Sequence, residues 1–156
     1  ATTSTWAERS GTNSTGRPMT DRFADTSGWA CLASPRERFH ADAVARYDET
    51  LRAGRRVVTT NWVLAELTAL LTSPLRVPKP TQVALLDNVR RSPHVVVVTV
   101  DAALEAAAWA RWRTRPDKDW SLVDCASFVL IEDRNLTDAL TADHHFEQAG
   151  FVRLLK

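Results

Sequence analysis

The sequence predicts an α/β protein built on a parallel sheet of about four to five strands, with helices on both faces. Two observations lead there. Strand-like and helix-like segments alternate along the chain, and one of them, His94 to Val100, is an almost unbroken β-branched run of the kind expected for a strand buried on both faces. A third observation locates a site. Asp25, Glu66, Asp124 and Asp143 each interrupt apolar text near the boundary of an element, and open parallel sheets form their sites beyond the carboxyl ends of the strands.

The elements follow in order. Arg22-Phe23-Ala24-Asp25 reads as a short first strand that ends in the turn formers Asp25-Thr26-Ser27-Gly28. A helix of mixed charge is predicted from about Arg36 to Arg52, closed by Gly54. The brief β-branched stretch Arg56 to Thr60 is the second strand. Asn61 is read as the cap of a helix with the apolar face Val63, Leu64, Leu67, Leu70 and Leu71, ended by Pro74. A helix from about Lys79 to Arg91 precedes the strand at His94 to Val100. Asp101 caps an Ala-rich helix that runs to about Arg115, and Ser121 begins a strongly apolar one that runs to about Arg134. Ala139-Leu140-Thr141 and Phe151 to Leu155 are the last two strands.

Composition narrows the class. The chain has 156 residues, 44% of them hydrophobic, enough to form one domain with a real core. Its two cysteines, Cys31 and Cys125, lack paired spacing, which argues against a zinc ribbon or disulfide scaffold and fits a reducing, cytoplasmic setting. No apolar run approaches the roughly 18 residues that a membrane span needs. Residues 1–20 form a Thr-, Ser- and Gly-rich tail expected to be disordered and to lack the apolar middle of a signal peptide, with the domain occupying 21–156. Met19 is placed where a start would fit, making the preceding residues an upstream extension. From Met19 onward 18 basic residues face 18 acidic ones, so affinity for nucleic acid has to come from local patches.

Each carboxylate also has a plain structural reading. Asp25 suits a turn. Glu66 lies about 100° from the centre of its leucine stripe, a common place for a solvated glutamate. Asp124 forms a capping box with Ser121 at the required offset, yet it is the only charge between Ser121 and Ile131. Asp143 could cap a short helix starting at His144-His145. Those histidines invite a zinc site, but adjacent helical residues point apart and no third soft ligand stands at a suitable spacing, so they are read as surface or second-layer groups. Taken together, four acids at element ends of one sheet suit a hard divalent cation held by oxygen.

Four stretches carry a resemblance to a family: Phe-Ala-Asp-Thr-Ser-Gly-Trp (23–29), Asn-Trp-Val-Leu-Ala-Glu-Leu (61–67), Asp-Lys-Asp-Trp-Ser-Leu-Val-Asp-Cys-Ala-Ser-Phe (117–128) and Leu-Thr-Ala-Asp-His-His-Phe-Glu-Gln-Ala-Gly-Phe (140–151). From Phe23 to Leu155 the chain resembles the PIN domain, specifically the VapC-type ribonuclease toxin of bacterial toxin–antitoxin pairs. The resemblance implies a PIN-like three-layer sandwich and Asp25, Glu66, Asp124 and Asp143 as catalytic metal ligands, directly or through water. It also implies supporting hydroxyls from Ser27 and Thr141; Asp119 is left open between a direct catalytic role and capping or bracing the Asp124 helix. The cofactor would be Mg²⁺, with Mn²⁺ as the alternative, and the reaction hydrolysis of RNA phosphodiesters by an activated water.

An acidic site repels RNA, so a basic rim has to supply affinity. The stretch Arg111-Trp112-Arg113-Thr114-Arg115 with Lys118 is assigned that role, Trp112 offering a face for base stacking. The plain alternative packs Trp109 and Trp112 in the core and leaves the arginines solvated. Arg36, Arg38, Arg55 and Arg56 form a second basic group. The resemblance further implies a small antitoxin protein lying over the active-site groove, and is compatible with a homodimer. Two rivals stay open: a PIN nuclease of RNA processing without an antitoxin, and a PIN-shaped binding module without turnover. An aspartyl phosphatase is disfavoured because Asp25-Thr26-Ser27 lacks the second Asp.

Overall fold

The computed structural model of the chain describes residues 20–156, so the predicted tail and the start assigned to Met19 lie outside the described residues. Twelve elements follow: β1 (Arg22–Ala24), α1 (Thr26–Ala33), α2 (His40–Arg52), β2 (Val57–Thr60), α3 (Asn61–Thr72), α4 (Lys79–Arg91), β3 (Val95–Val98), α5 (Ala102–Thr114), α6 (Leu122–Asp133), β4 (Asp138–Leu140), α7 (His145–Gln148) and β5 (Val152–Arg153). The five strands pair in the order β3-β2-β1-β4-β5, every pairing parallel. All carboxyl ends therefore lie along one edge of the sheet. Among the described residues no helix is long and apolar enough to cross a membrane.

Strand alternation divides the helices into two layers. In β1, Arg22 reaches Thr50 and the carbonyl of Arg46 on α2. The next side chain, Phe23, points the other way and stacks on Phe146 of α7 at 6.1 Å. On that second face Phe128 of α6 contacts Phe146 at 5.0 Å, Phe151 at 5.7 Å and Trp120 at 5.0 Å. Each such pair adds about 0.5–1.5 kcal/mol beyond the area it buries, and together they clamp α7 against α6.

Several caps match the sequence reading. The Asp101 carboxylate accepts the Leu104 N–H at 2.8 Å, and Ser121 with Asp124 completes a capping box on α6. Gly54 closes α2 at φ +70°, a left-handed conformation that favours glycine.

Three local readings are corrected. Thr26-Ser27-Gly28 is not a turn but the first part of α1, an eight-residue helix. Asn61 is not the cap of α3: Thr60 is, accepting the Val63 N–H at 3.0 Å, while Asn61 turns its Oδ1 to the Val100 N–H at 2.8 Å and ties α3 to the end of β3. The valines of β3 are only half-buried, because β3 is a sheet edge.

Gly28 explains why α1 forms where it does. A Cβ at this position would stand 2.0 Å from the Leu140 carbonyl oxygen, a backbone atom that cannot swing aside. Only a bare Cα lets α1 lie across the end of β4. Gly28→Ala is expected to lower stability by about 1–3 kcal/mol, a fall in Tm of roughly 2–12 °C for a chain of this size. An unchanged Tm in thermal unfolding would show that α1 does not depend on this approach.

Candidate active site

Backbone connections bring the four acids to the carboxyl edge of the sheet. Asp25 follows β1, Asp143 lies three residues past β4, Glu66 sits in the second turn of α3 and Asp124 in the first turn of α6. Hydroxyls lock them in place. Thr141 is fully buried; its hydroxyl donates to Asp25 Oδ2 at 3.1 Å and accepts the Asp143 N–H at 3.0 Å. Ser27 Oγ lies 3.0 Å from the Thr141 hydroxyl and accepts the Ala142 N–H at 2.9 Å. Thr26 donates to Glu66 Oε1 at 2.5 Å, so the residue beside Asp25 also aims Glu66.

On the other flank, Asp124 Oδ2 accepts the Ser121 N–H at 2.9 Å, and Asp143 Oδ1 accepts the His145 N–H at 2.9 Å. The capping reading of Asp124 is thus geometrically real, whereas α7 is capped at His144 without a side-chain bond and Asp143 lies one residue before that cap; each acid engages one oxygen of its carboxylate. His145 lies between the two acids, Nδ1 being 3.4 Å from Asp124 Oδ2 and 3.3 Å from Asp143 Oδ1.

Burial makes this cluster electrostatically expensive. Asp25 is 4% exposed and Asp124 7%. Burial pushes the Asp25 carboxyl up to about 7, with Asp124, Glu66 and Asp143 adding repulsion against an opposing Thr26 N–H bond. Burial also raises Glu66, assisted by Asp124 and Asp143, and raises Asp124, assisted by Asp143 and opposed by Ser121 and His145. Every pairing of the four is repulsive. An all-oxygen set of this kind fits Mg²⁺ or Mn²⁺, whose charge removes the repulsion.

The expected RNA-binding residues run from the last turns of α5 into the loop before α6, with their charge partly engaged. Arg111 pairs with Glu132 at 2.5 Å, Arg113 covers Trp109, and Arg115 pairs with Asp117 while lying 4.9 Å from the Trp120 ring. Lys118 also reaches Asp117. Trp112 is 47% exposed, so it does not pack in the core, and its ring meets Trp109 edge-on at 5.6 Å. The Trp120 indole donates to Gln148 and so joins this stretch to the end of α7. Asp119 is exposed, and Ser121 rather than Asp119 caps α6.

The second basic group lies away from the site. Arg55 and Arg56 precede β2, at the opposite end of the strands, where they pair with Asp138 and Asp21. Arg36 and Arg38 lie beyond the far end of α1.

Two contributors escaped the sequence reading. Thr26 looked like a turn residue, and only the helical course of α1 turns its hydroxyl toward Glu66. His145 was placed in a second layer at best; its insertion between Asp124 and Asp143 depends on α7 docking against α6.

Comparison with known proteins shows which family the chain belongs to. Residues 22–152 match the PIN domain family. The 23S rRNA-specific endonuclease VapC20 of Mycobacterium tuberculosis is 35% identical over 133 residues, 85% of this chain and 96% of the relative, in each of two strains. The crystal structure of Mycobacterium tuberculosis VapC20, described as a Sarcin-Ricin loop cleaving toxin, superposes with a TM-score of 0.74 at 31% identity, covering 88% of this chain and 100% of that one. FitAcB from Neisseria gonorrhoeae, at 19% identity and a TM-score of 0.59, shares the fold over 87% of this chain and 96% of its own.

The position of Asp25 sets a pH dependence. Its folded pKa lies above the unfolded value of about 3.9, so the folded state holds this proton more tightly. That contribution to stability is complete below the unfolded value and is lost as pH rises through about 7. In EDTA, Asp25→Asn is expected to be more stable than the parent at pH 8, by on the order of 2–4 kcal/mol, with the gap closing toward pH 4. A gap in Tm that does not change with pH would refute charge burial as its cause.

Proposed function

Because the chain belongs to the PIN-domain family, as a ribonuclease toxin of the VapC type, we propose that Asp25, Glu66, Asp124 and Asp143 hold a divalent cation, Mg²⁺ or Mn²⁺, for endonucleolytic cleavage of RNA. The observation that carries this reading is the mutual repulsion of four carboxylates converging on one sheet edge, two of them buried. A bound divalent cation supplies an activated water and offsets charge on the phosphoryl oxygens.

The protein's own groups do the positioning. Thr141 and Ser27 hold the Asp25 carboxylate and the backbone at Ala142 and Asp143, so these hydroxyls act by orienting ligands. Thr26 fixes Glu66, and the capping box fixes Asp124 while its Oδ1 remains outside that box. Glu66 and Asp143 are half-buried, which puts them on the side open to substrate. No nucleophilic side chain is required.

Trp112 and the cations Arg111, Arg113, Arg115 and Lys118 form the RNA-facing rim. The activity of the mycobacterial relative makes 23S ribosomal RNA the substrate class to test first. A small antitoxin protein covering the carboxylate edge, where α1 and α3 flank the site, is the partner this reading requires.

Purified protein incubated with total RNA is expected to cleave it with Mg²⁺ or Mn²⁺ and not with EDTA, and Asp25→Ala is expected to lose at least about a hundredfold in rate. Equal cleavage by the variant would overturn the assignment of Asp25. For the rim, Trp112→Ala is expected to weaken RNA binding by about 1–3 kcal/mol without altering stability, as measured by filter binding beside thermal unfolding. Unchanged affinity would remove Trp112 from the interface.

A further inference from the structure

His145 Nδ1 is buried, and it lacks a hydrogen-bond partner. A buried polar atom left unpaired is costly and calls for an explanation. Its surroundings supply one: it stands 3.4 Å from Asp124 Oδ2 and 3.3 Å from Asp143 Oδ1, and it hydrogen-bonds to neither. Neighbouring donors around an octahedral ion at about 2.1–2.3 Å stand about 3 Å apart. His145 Nδ1 thus stands at donor-to-donor spacing from one oxygen of each acid, the oxygen that also accepts a backbone N–H, and the second oxygen of each carboxylate lies outside that bond.

The placement of this ring is built into the fold. Asp143, two residues before His145, holds the His145 N–H with its carboxylate, and the following residue, Phe146, is fully buried against Phe23 and Phe128. Its side chain is 18% exposed, whereas that of His144 is 63% exposed. Both rings approach Asp143, His144 Nδ1 lying 3.6 Å from its Oδ1, but only the His145 ring is held between two acids, while that of His144 is largely exposed.

We infer that His145 is a nitrogen ligand to the cation held by Asp124 and Asp143, and that it makes the site prefer Mn²⁺ over Mg²⁺. This inference rests on the carboxylate reading above and adds a donor of different chemistry to it. Mn²⁺ shares the preference of Mg²⁺ for carboxylate oxygens, but as the first member of the transition-metal affinity series it accepts a nitrogen donor better than Mg²⁺, which dehydrates reluctantly and keeps its waters. With its ring proton on Nε2, His145 presents an Nδ1 lone pair to the site.

The test titrates Mn²⁺ and Mg²⁺ separately into the full chain by calorimetry. His145→Ala and His145→Asn are each expected to weaken Mn²⁺ binding by about tenfold or more and Mg²⁺ binding by less than about threefold, while His144→Ala changes neither. Pulsed electron paramagnetic resonance of Mn²⁺ on the unaltered protein is expected to show nitrogen coupling that shifts on ¹⁵N-histidine labelling, a readout that needs no variant. Equal losses for both ions, restored by His145→Asn, would make His145 a brace on the two acids and overturn the inference. So would the absence of nitrogen coupling. Failure of the unaltered protein to bind either ion would overturn the carboxylate reading and this inference with it.

Discussion

The crossing of α1 over the end of β4 at Gly28 is the contact on which the site depends. It leaves no room for a Cβ, since the Leu140 carbonyl would be 2.0 Å away. That approach lets Ser27 reach the Ala142 N–H and the Thr141 hydroxyl, and Thr141 in turn bonds Asp25 and the Asp143 backbone. One missing side chain thereby connects β1, α1 and the loop after β4. Asp25 and Asp143, 118 positions apart in the sequence, are held by the same hydroxyl.

The cluster so formed works against folding. Asp25 and Asp124 are carboxylates almost removed from water, in mutual repulsion with Glu66 and Asp143. The surrounding structure has to over-determine their positions. It does so with hydroxyls and N–H groups on the polar side and with the Phe23, Phe128, Phe146 and Trp120 cluster beneath. The same aromatic packing sets the position of His145, because Phe146 cannot stay buried without carrying its neighbour toward Asp124.

Charge is arranged differently at the opposite end of the strands. Asp138 at the start of β4 accepts Arg22 at 2.8 Å and Arg55 at 2.9 Å, while Arg22 also donates to Thr50 and Arg46. Such a buried pair adds little net stability after desolvation, but removing one partner leaves an uncompensated charge. Its effect is to pin the beginnings of β1, β4 and the chain before β2 in one register. That register places Asp25 and Thr141 level at the other end. Arg55, whose charge suggested a binding role in sequence, is engaged in this structural task.

The alternation of elements, the caps at Asp101 and Ser121, and the four acids at element ends were all legible in the sequence, because each depends on residue type and near-neighbour spacing. The Thr-Ser-Gly after Asp25 read as a turn for the same reason: its local chemistry favours one, and only packing against β4 makes a helix of it. Asn61 looked like a cap until the end of β3 claimed its side chain. The valine run of β3 gave no sign that it would be an edge, since edge or centre is decided by strand order. The sequence by itself determined which chemical groups this protein carries and roughly where the elements begin and end. The tertiary structure alone decided that Thr26 aims Glu66 and that His145 stands between Asp124 and Asp143, because those relations join residues 40 and 21 positions apart and exist only once helices pack on a common sheet.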